Sequence, residues 1–208
     1  MLRLPLLSLL LAAACATPRG PAFAQREYPG QLRPAAALAT DLLWQQRITA
    51  SWGEDGRRGF DAAVQKQNDT LTVLGLSPMG NVGFTIVLRG TTVDLQSHPG
   101  QELPFPPRFV LLDVQRTFYP WLEGAPPRDG ERSGTIDGER VLEVFRDGRI
   151  RERRFERLDA EPPGTITITY DWTDTDATWS APRRVALDNG WFGYRLSVDT
   201  HAEMRLAP

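Results

Sequence analysis

Residues 71–88, LTVLGLSPMGNVGFTIVL, constrain the fold more than any other stretch. Residues 70–76 are an almost unbroken apolar and threonine run, the pattern of a strand with both faces covered. Val82, Phe84, Ile86 and Leu88 then alternate with Gly83, Thr85, Val87 and Arg89, the period of a half-buried strand. Between them Ser77-Pro78-Met79-Gly80-Asn81 carries the residues that reverse a chain. The one large side chain of that turn, Met79, is apolar and has no core within easy reach. A tip of this kind is either a single exposed methionine, which is ordinary, or a contact for an apolar phase such as a lipid surface.

The N-terminus bears on that choice. Met1-Leu2-Arg3 and the apolar run 4–14 form a secretory leader too short for a stable span. Leu11-Ala12-Ala13-Ala14-Cys15 then resembles a bacterial lipobox, and Cys15 is the only cysteine of the chain. A competing site, Ala22-Phe23-Ala24 before Gln25, fits ordinary signal cleavage. The lipobox reading makes residues 1–14 a lipoprotein signal peptide and Cys15 the site of a diacyl, palmitate-type anchor, each buried methylene contributing about 0.8 kcal/mol. Residues 15–33, Pro- and Gly-bearing without periodicity, are then a flexible tether, and residues 34–208 one folded domain. A single cysteine excludes an intramolecular disulfide and a thiolate zinc cluster.

Along the domain, residues 34–46 trace a helical face through Leu38, Leu42 and Gln45 or Gln46, and residues 108–118 a second one through Val110, Val114 and Phe118. Strand candidates cover 47–52, 60–64, 70–76, 82–88 and 91–96, then 133–136, 140–146, 149–158, 164–172, 183–187 and 192–199. Asp137-Gly138 and Asp147-Gly148 are type I′ hairpin signals. Nine to eleven short strands with two helices and no βαβ rhythm predict an α+β, mainly antiparallel fold. Its sheet is strongly curved or an incomplete, half-open barrel, with helices covering the concave face. Phe60, Val64, Leu71, Val73, Val82, Phe84 and Ile86 form its inward stripe; the same residue types suit a filled core and the wall of a lipid cavity. Residues 146–157 hold six Arg against three acids, read either as a solvated, edge-protecting face or as a surface for anionic head groups.

Several function classes are excluded or weakened. The net charge of −2 gives no electrostatic case for nucleic acid. His98 and His201, the only histidines, have no partner at metal-ligand spacing. Asp171 and Asp174 read as solvated loop residues, and no nucleophile elbow, Walker loop or GxGxxG is present, so neither an enzyme nor a cofactor is expected.

The order QQRITASW, RRGFDAAVQKQNDTLTVLGLSPMGNVGFTIVL, a helix ending YPWLEGAPP and a last hairpin PRRVALDNGWFGYRLSV resembles LolB, the outer-membrane lipoprotein receptor, across about residues 34–206. Closer still is the resemblance to LolB-like lipoproteins often encoded with aryl polyene genes. The resemblance implies a half-open barrel whose apolar face takes acyl chains of lipid or lipoprotein cargo delivered by a LolA-like periplasmic carrier. It implies a monomer on the periplasmic side of a Gram-negative outer membrane, and Ala16 fits that sorting. It also implies a membrane-inserting loop, here Pro78, Met79 and Gly80, with Met79 in the place of the family's leucine. The Arg-rich segment and the long loop 172–182 depart from the LolB pattern and leave the cargo open. The alternatives to lipid binding are a non-catalytic scaffold of an envelope complex and a lipid-modifying enzyme.

Overall fold

The computed structural model describes residues 27–77, 79–97, 103, 105–172 and 181–207. Among the described residues eleven antiparallel strands form one sheet. In chain order they are β1 (Leu42–Trp52), β2 (Gly56–Gln67), β3 (Thr70–Leu76), β4 (Val82–Arg89), β5 (Thr92–Ser97), β6 (Gly130–Ile136), β7 (Glu139–Arg146), β8 (Arg149–Arg157), β9 (Thr165–Asp171), β10 (Arg184–Asn189) and β11 (Tyr194–Arg205). One α-helix, α1 (Pro107–Phe118), lies between β5 and β6 in sequence. The spatial order is β5-β4-β3-β2-β1-β11-β10-β9-β8-β7-β6. The chain thus lays down one meander, crosses through α1, and lays down a second that returns to close on β1. Asp137 and Gly138 at φ 51° and 76°, and Asp147 and Gly148 at φ 54° and 73°, make the left-handed turns that I′ hairpins require.

The sheet is open, with β5 and β6 at its edges, yet it bends around the helix. Helix α1 touches β5 and its Arg116 reaches Glu139 of β7, strands nine positions apart in the sheet order. Laid flat, nine spacings would span about 43 Å, whereas a helix of this length spans about 18 Å. Pro107 at the first turn starts α1, and Pro120, just past the extended Tyr119, keeps it from continuing. Helix α1 has buried residues on almost every side, including adjacent Leu111 and Leu112, so it is enclosed and not half solvated.

Two sequence expectations change here. Residues 34–46 do not form a helix: a single 3-10 turn covers Ala35–Ala37, and Leu42, Trp44 and Gln46 belong to β1. That strand pairs on one side with β2 and on the other with β11. A central strand gains ladder bonds on both edges, which outweighs a weak local helical pattern. The fold therefore holds one α-helix among the described residues, not two. Residues 28–33, expected in the tether, are docked: Tyr28 is fully buried, and the Gln115 side chain bonds both the N–H and the carbonyl of Arg33.

The interior falls into two apolar clusters. One, under β1–β5, contains Leu42, Val64, Leu71, Val73, Ile86 and Leu88 with Leu111 of α1. The other, under β6–β11, is richer in aromatics: Tyr28, Phe109, Trp121, Phe155, Tyr170, Trp191 and Phe192.

Candidate functional site

A cavity of about 70 Å³ lies where the two clusters meet under α1. Ile48 and Ala50 of β1, Phe60 of β2, Leu196 and Val198 of β11, and Phe109, Val110, Val114 and Phe118 of α1 form its apolar wall. Period 2 places Ile48 and Ala50 on one face of β1, and spacing i, i+4, i+8 places Val110, Val114 and Phe118 on one stripe of α1. Trp52 and Phe105 contact each other at 5.6 Å, and Phe105 in turn lies 6.0 Å from Tyr194.

Of the stripe residues expected from the sequence, Phe60 lines the cavity. Val64, Leu71, Val73, Phe84 and Ile86 are buried in the adjoining cluster. Val82 is 38% exposed, a departure caused by a bulge. Gly75 pairs with Phe84 but Leu76 pairs with Val82, so Gly83 is the extra residue and Val82 turns to the face of Leu76. Phe84 closes over Gly75, where a Cβ would stand 2.1 Å from its ring. The lining residues of β1 and α1 carry legible periodicities. Those of β11, Tyr194, Leu196 and Val198, do so as well, and Phe105 enters through tertiary packing alone.

Met79 stands 84% exposed at the tip of the β3–β4 turn. The turn is closed by Ser77 N–H to the Asn81 carbonyl and Gly80 N–H to the Ser77 carbonyl, both 2.8 Å. Gly80 has φ +80°, open to glycine and strained for most residues. Pro78 and Cys15 lie outside the described residues, as do His98 and Asp174.

The helix is tied to the second meander by buried polar groups. Asp113 accepts hydrogen bonds from the hydroxyls of Tyr28 and Tyr194, each at 2.6 Å. Burial pushes its carboxyl up to about 6, against the lowering effect of the two tyrosine bonds and Arg116. Burial and then the Asp113 charge raise both tyrosines well above their ordinary range, keeping them O–H donors. Arg116 is fully buried and pairs with Glu139 at 2.8 Å. Its Nε and Nη1 have no hydrogen-bond partner among the described residues. Instead the guanidinium faces the rings of Tyr28 at 4.7 Å, Trp191 at 5.1 Å and Phe155 at 5.3 Å. Glu143 binds Arg153 and Arg132, both at 2.7 Å, and Arg153 donates to the Arg116 carbonyl at 2.5 Å. The Tyr170 hydroxyl donates to the Thr117 carbonyl at 3.0 Å. Arg153, expected on a solvated or head-group-facing surface, is thus buried, because cross-strand register sets the β8 arginine against a β7 glutamate.

Among the described residues no group of histidine, cysteine or acidic side chains is placed to hold a metal. No helix among them is long and apolar enough to cross a membrane.

No curated protein sequence matches the chain. Among solved structures it is similar to a LolA superfamily protein from Nitrosomonas europaea, at 15% identity and TM-score 0.47, over 85% of this chain and 96% of that one. It is also similar to an outer membrane lipoprotein-sorting protein domain from Vibrio parahaemolyticus, at 9% identity and TM-score 0.41, over 80% and 85% of the two chains. A third similar structure is a DUF1329 family protein from Desulfovibrio piger, at 8% identity and TM-score 0.33, over 82% and 90%. The model of the family described as protein of unknown function DUF3261 matches residues 43–202, most of the chain, and the chain belongs to that family.

Proposed function

We propose that this chain is a non-enzymatic acyl-lipid-binding protein, held at the periplasmic face of the outer membrane by acylation of Cys15, that assists transfer of lipid or lipoprotein cargo. The observation that carries the reading is the placement of an apolar cavity and an exposed apolar tip at the same end of the sheet. Phe60 lines the cavity, and its neighbour Asp61 pairs with Leu76, the last residue of β3 before the Met79 turn. The lipobox at Cys15 and the resemblance to LolB support the same reading, and a LolA-like carrier is the partner it implies. Pro78, Met79 and Gly80 are the proposed membrane contact.

The cavity is narrow for this task. Ligand pockets measure about 300–1,000 Å³, so about 70 Å³ admits an acyl chain only if α1 and the sheet separate. Among the described residues, no side-chain hydrogen bond joins α1 to β1–β5. The contact there is apolar, as in Trp44 against Phe118 at 4.6 Å. Opening along that side costs no polar bond, whereas opening along β6–β11 would break the ties of Asp113 and Arg116.

The test is titration of the delipidated full chain with a fluorescent long-chain acyl ester. Saturable binding is expected, together with its loss in a folded Val114→Trp variant that fills the cavity. Absence of saturable binding would leave the protein as a scaffold, and undiminished binding in Val114→Trp would rule out this cavity as the acyl site.

A further inference from the structure

The cavity wall carries one charged side chain. Asp113 lines it beside Val110, Val114 and Thr117, although it is only 6% exposed. Its two tyrosine bonds occupy about half of the four lone-pair sites of a carboxylate. Among the described residues Asp113 forms no ion pair; the nearby cation on its own helix, Arg116, is paired with Glu139. The third side chain at this end, Asn189, donates to the Tyr28 hydroxyl at 2.9 Å and so supports the tyrosine, not the carboxylate. An acyl ligand in this cavity therefore meets an acceptor that bears charge.

We infer that Asp113 is a specificity-determining residue, which selects acyl ligands whose polar end donates a hydrogen bond, an amide N–H or a hydroxyl, and rejects those ending in a free carboxylate. The inference rests on the acyl-binding reading and names its ligand class. In a low-dielectric cavity two carboxylates repel far more strongly than in water. A ligand end with no donor leaves the remaining acceptor sites unmet, and sites built around a buried polar group discriminate strongly against such analogues. Gln46, the neutral amide of the same wall, offers both donor and acceptor and does not discriminate.

The experiment compares three probes of equal chain length, a long-chain N-methyl amide, a methyl ester and a carboxylate, bound to the full chain at pH 8. The expected order is amide, ester, carboxylate, with at least tenfold between the first and the last. Asp113→Asn should bring that ratio toward one while amide binding persists. Because a variant of a buried residue can misfold, the wild-type chain supplies a second readout. Amide and ester ends do not titrate, so their ratio should shrink at pH 5, where Asp113 gains a proton and can donate to the ester. A tyrosine-bound carboxyl that only positioned α1 would move neither ratio. If all three probes bind equally, or the ratios ignore both Asp113→Asn and pH, the inference is overturned and the acyl-binding reading stands. If no probe binds, that reading falls and takes the inference with it.

Discussion

The two meanders meet the same helix in different ways. Under β6–β11, Asp113, Arg116 and the carbonyls of residues 116 and 117 are held by Tyr28, Tyr194, Glu139, Arg153 and Tyr170. Under β1–β5 the contact consists of leucine, valine, isoleucine and ring surfaces. Directional bonds fix a helix in one pose, because a displaced donor or acceptor is left unpaired in a dry interior. Apolar contact has no such directionality and tolerates sliding and refilling. Helix α1 is therefore bound mechanically to the second meander, and the first is the half expected to gape.

The largest expected effect breaks the polar half. Glu139→Ala removes the partner of buried Arg116 and the more distant, 3.8 Å partner of Arg157, which keeps Asp159 at 2.6 Å. It should cost about 3–5 kcal/mol in denaturant unfolding, and hydrogen exchange should show α1 amides losing protection.

The pH dependence of the same half comes next. Asp113 titrates near 6 in the folded chain against 3.8 when unperturbed, so the folded state holds its proton longer than the unfolded one. Its contribution favours folding below about pH 4, declines between pH 4 and 6, and levels off above. The total is roughly 3 kcal/mol. The groups facing it are Tyr28, Tyr194 and Arg116. Unfolding curves of wild type and Asp113→Asn across pH 4–7 should differ by that slope, and parallel curves would remove the buried carboxylate from the account.

Met79 sharpens the other half. Met79→Glu should leave unfolding within about 0.5 kcal/mol of wild type, as for an exposed site. Association with vesicles should weaken by up to about 1.5–3 kcal/mol, the value of burying such a side chain. The smallest effect is in the aliphatic cluster: Ile86→Val should cost about 0.5–1.5 kcal/mol, independent of pH and without loss of α1 protection.

Much of the fold was legible in the sequence because its signals are local. The hairpin of β3 and β4, both Asp-Gly turns and α1 follow from periods and turn residues within a few positions. The misreadings share a cause in pairing at a distance. Residues 42–46 are strand because β2 and β11 flank them. Val82 leaves its stripe because Gly83 is inserted against β3. Arg153 read as surface charge because its partner, Glu143, lies on another strand. The cavity was legible in part: its β1, β11 and α1 walls show periodicity, but Asp113 in that wall looks like any charge on a helix until Tyr28 and Tyr194 are set beside it.

Acyl ligand is expected to part α1 from β1–β5 while α1 stays with β6–β11. The most direct measurement places nitroxide labels at three exposed positions, Pro120 just past α1, Asp94 on β5 and Arg140 on β7, and records pulsed dipolar distances with and without a long-chain acyl amide. The Pro120–Asp94 distance should lengthen on binding and the Pro120–Arg140 distance should not. Binding that leaves both distances unchanged, or lengthens only Pro120–Arg140, would contradict this.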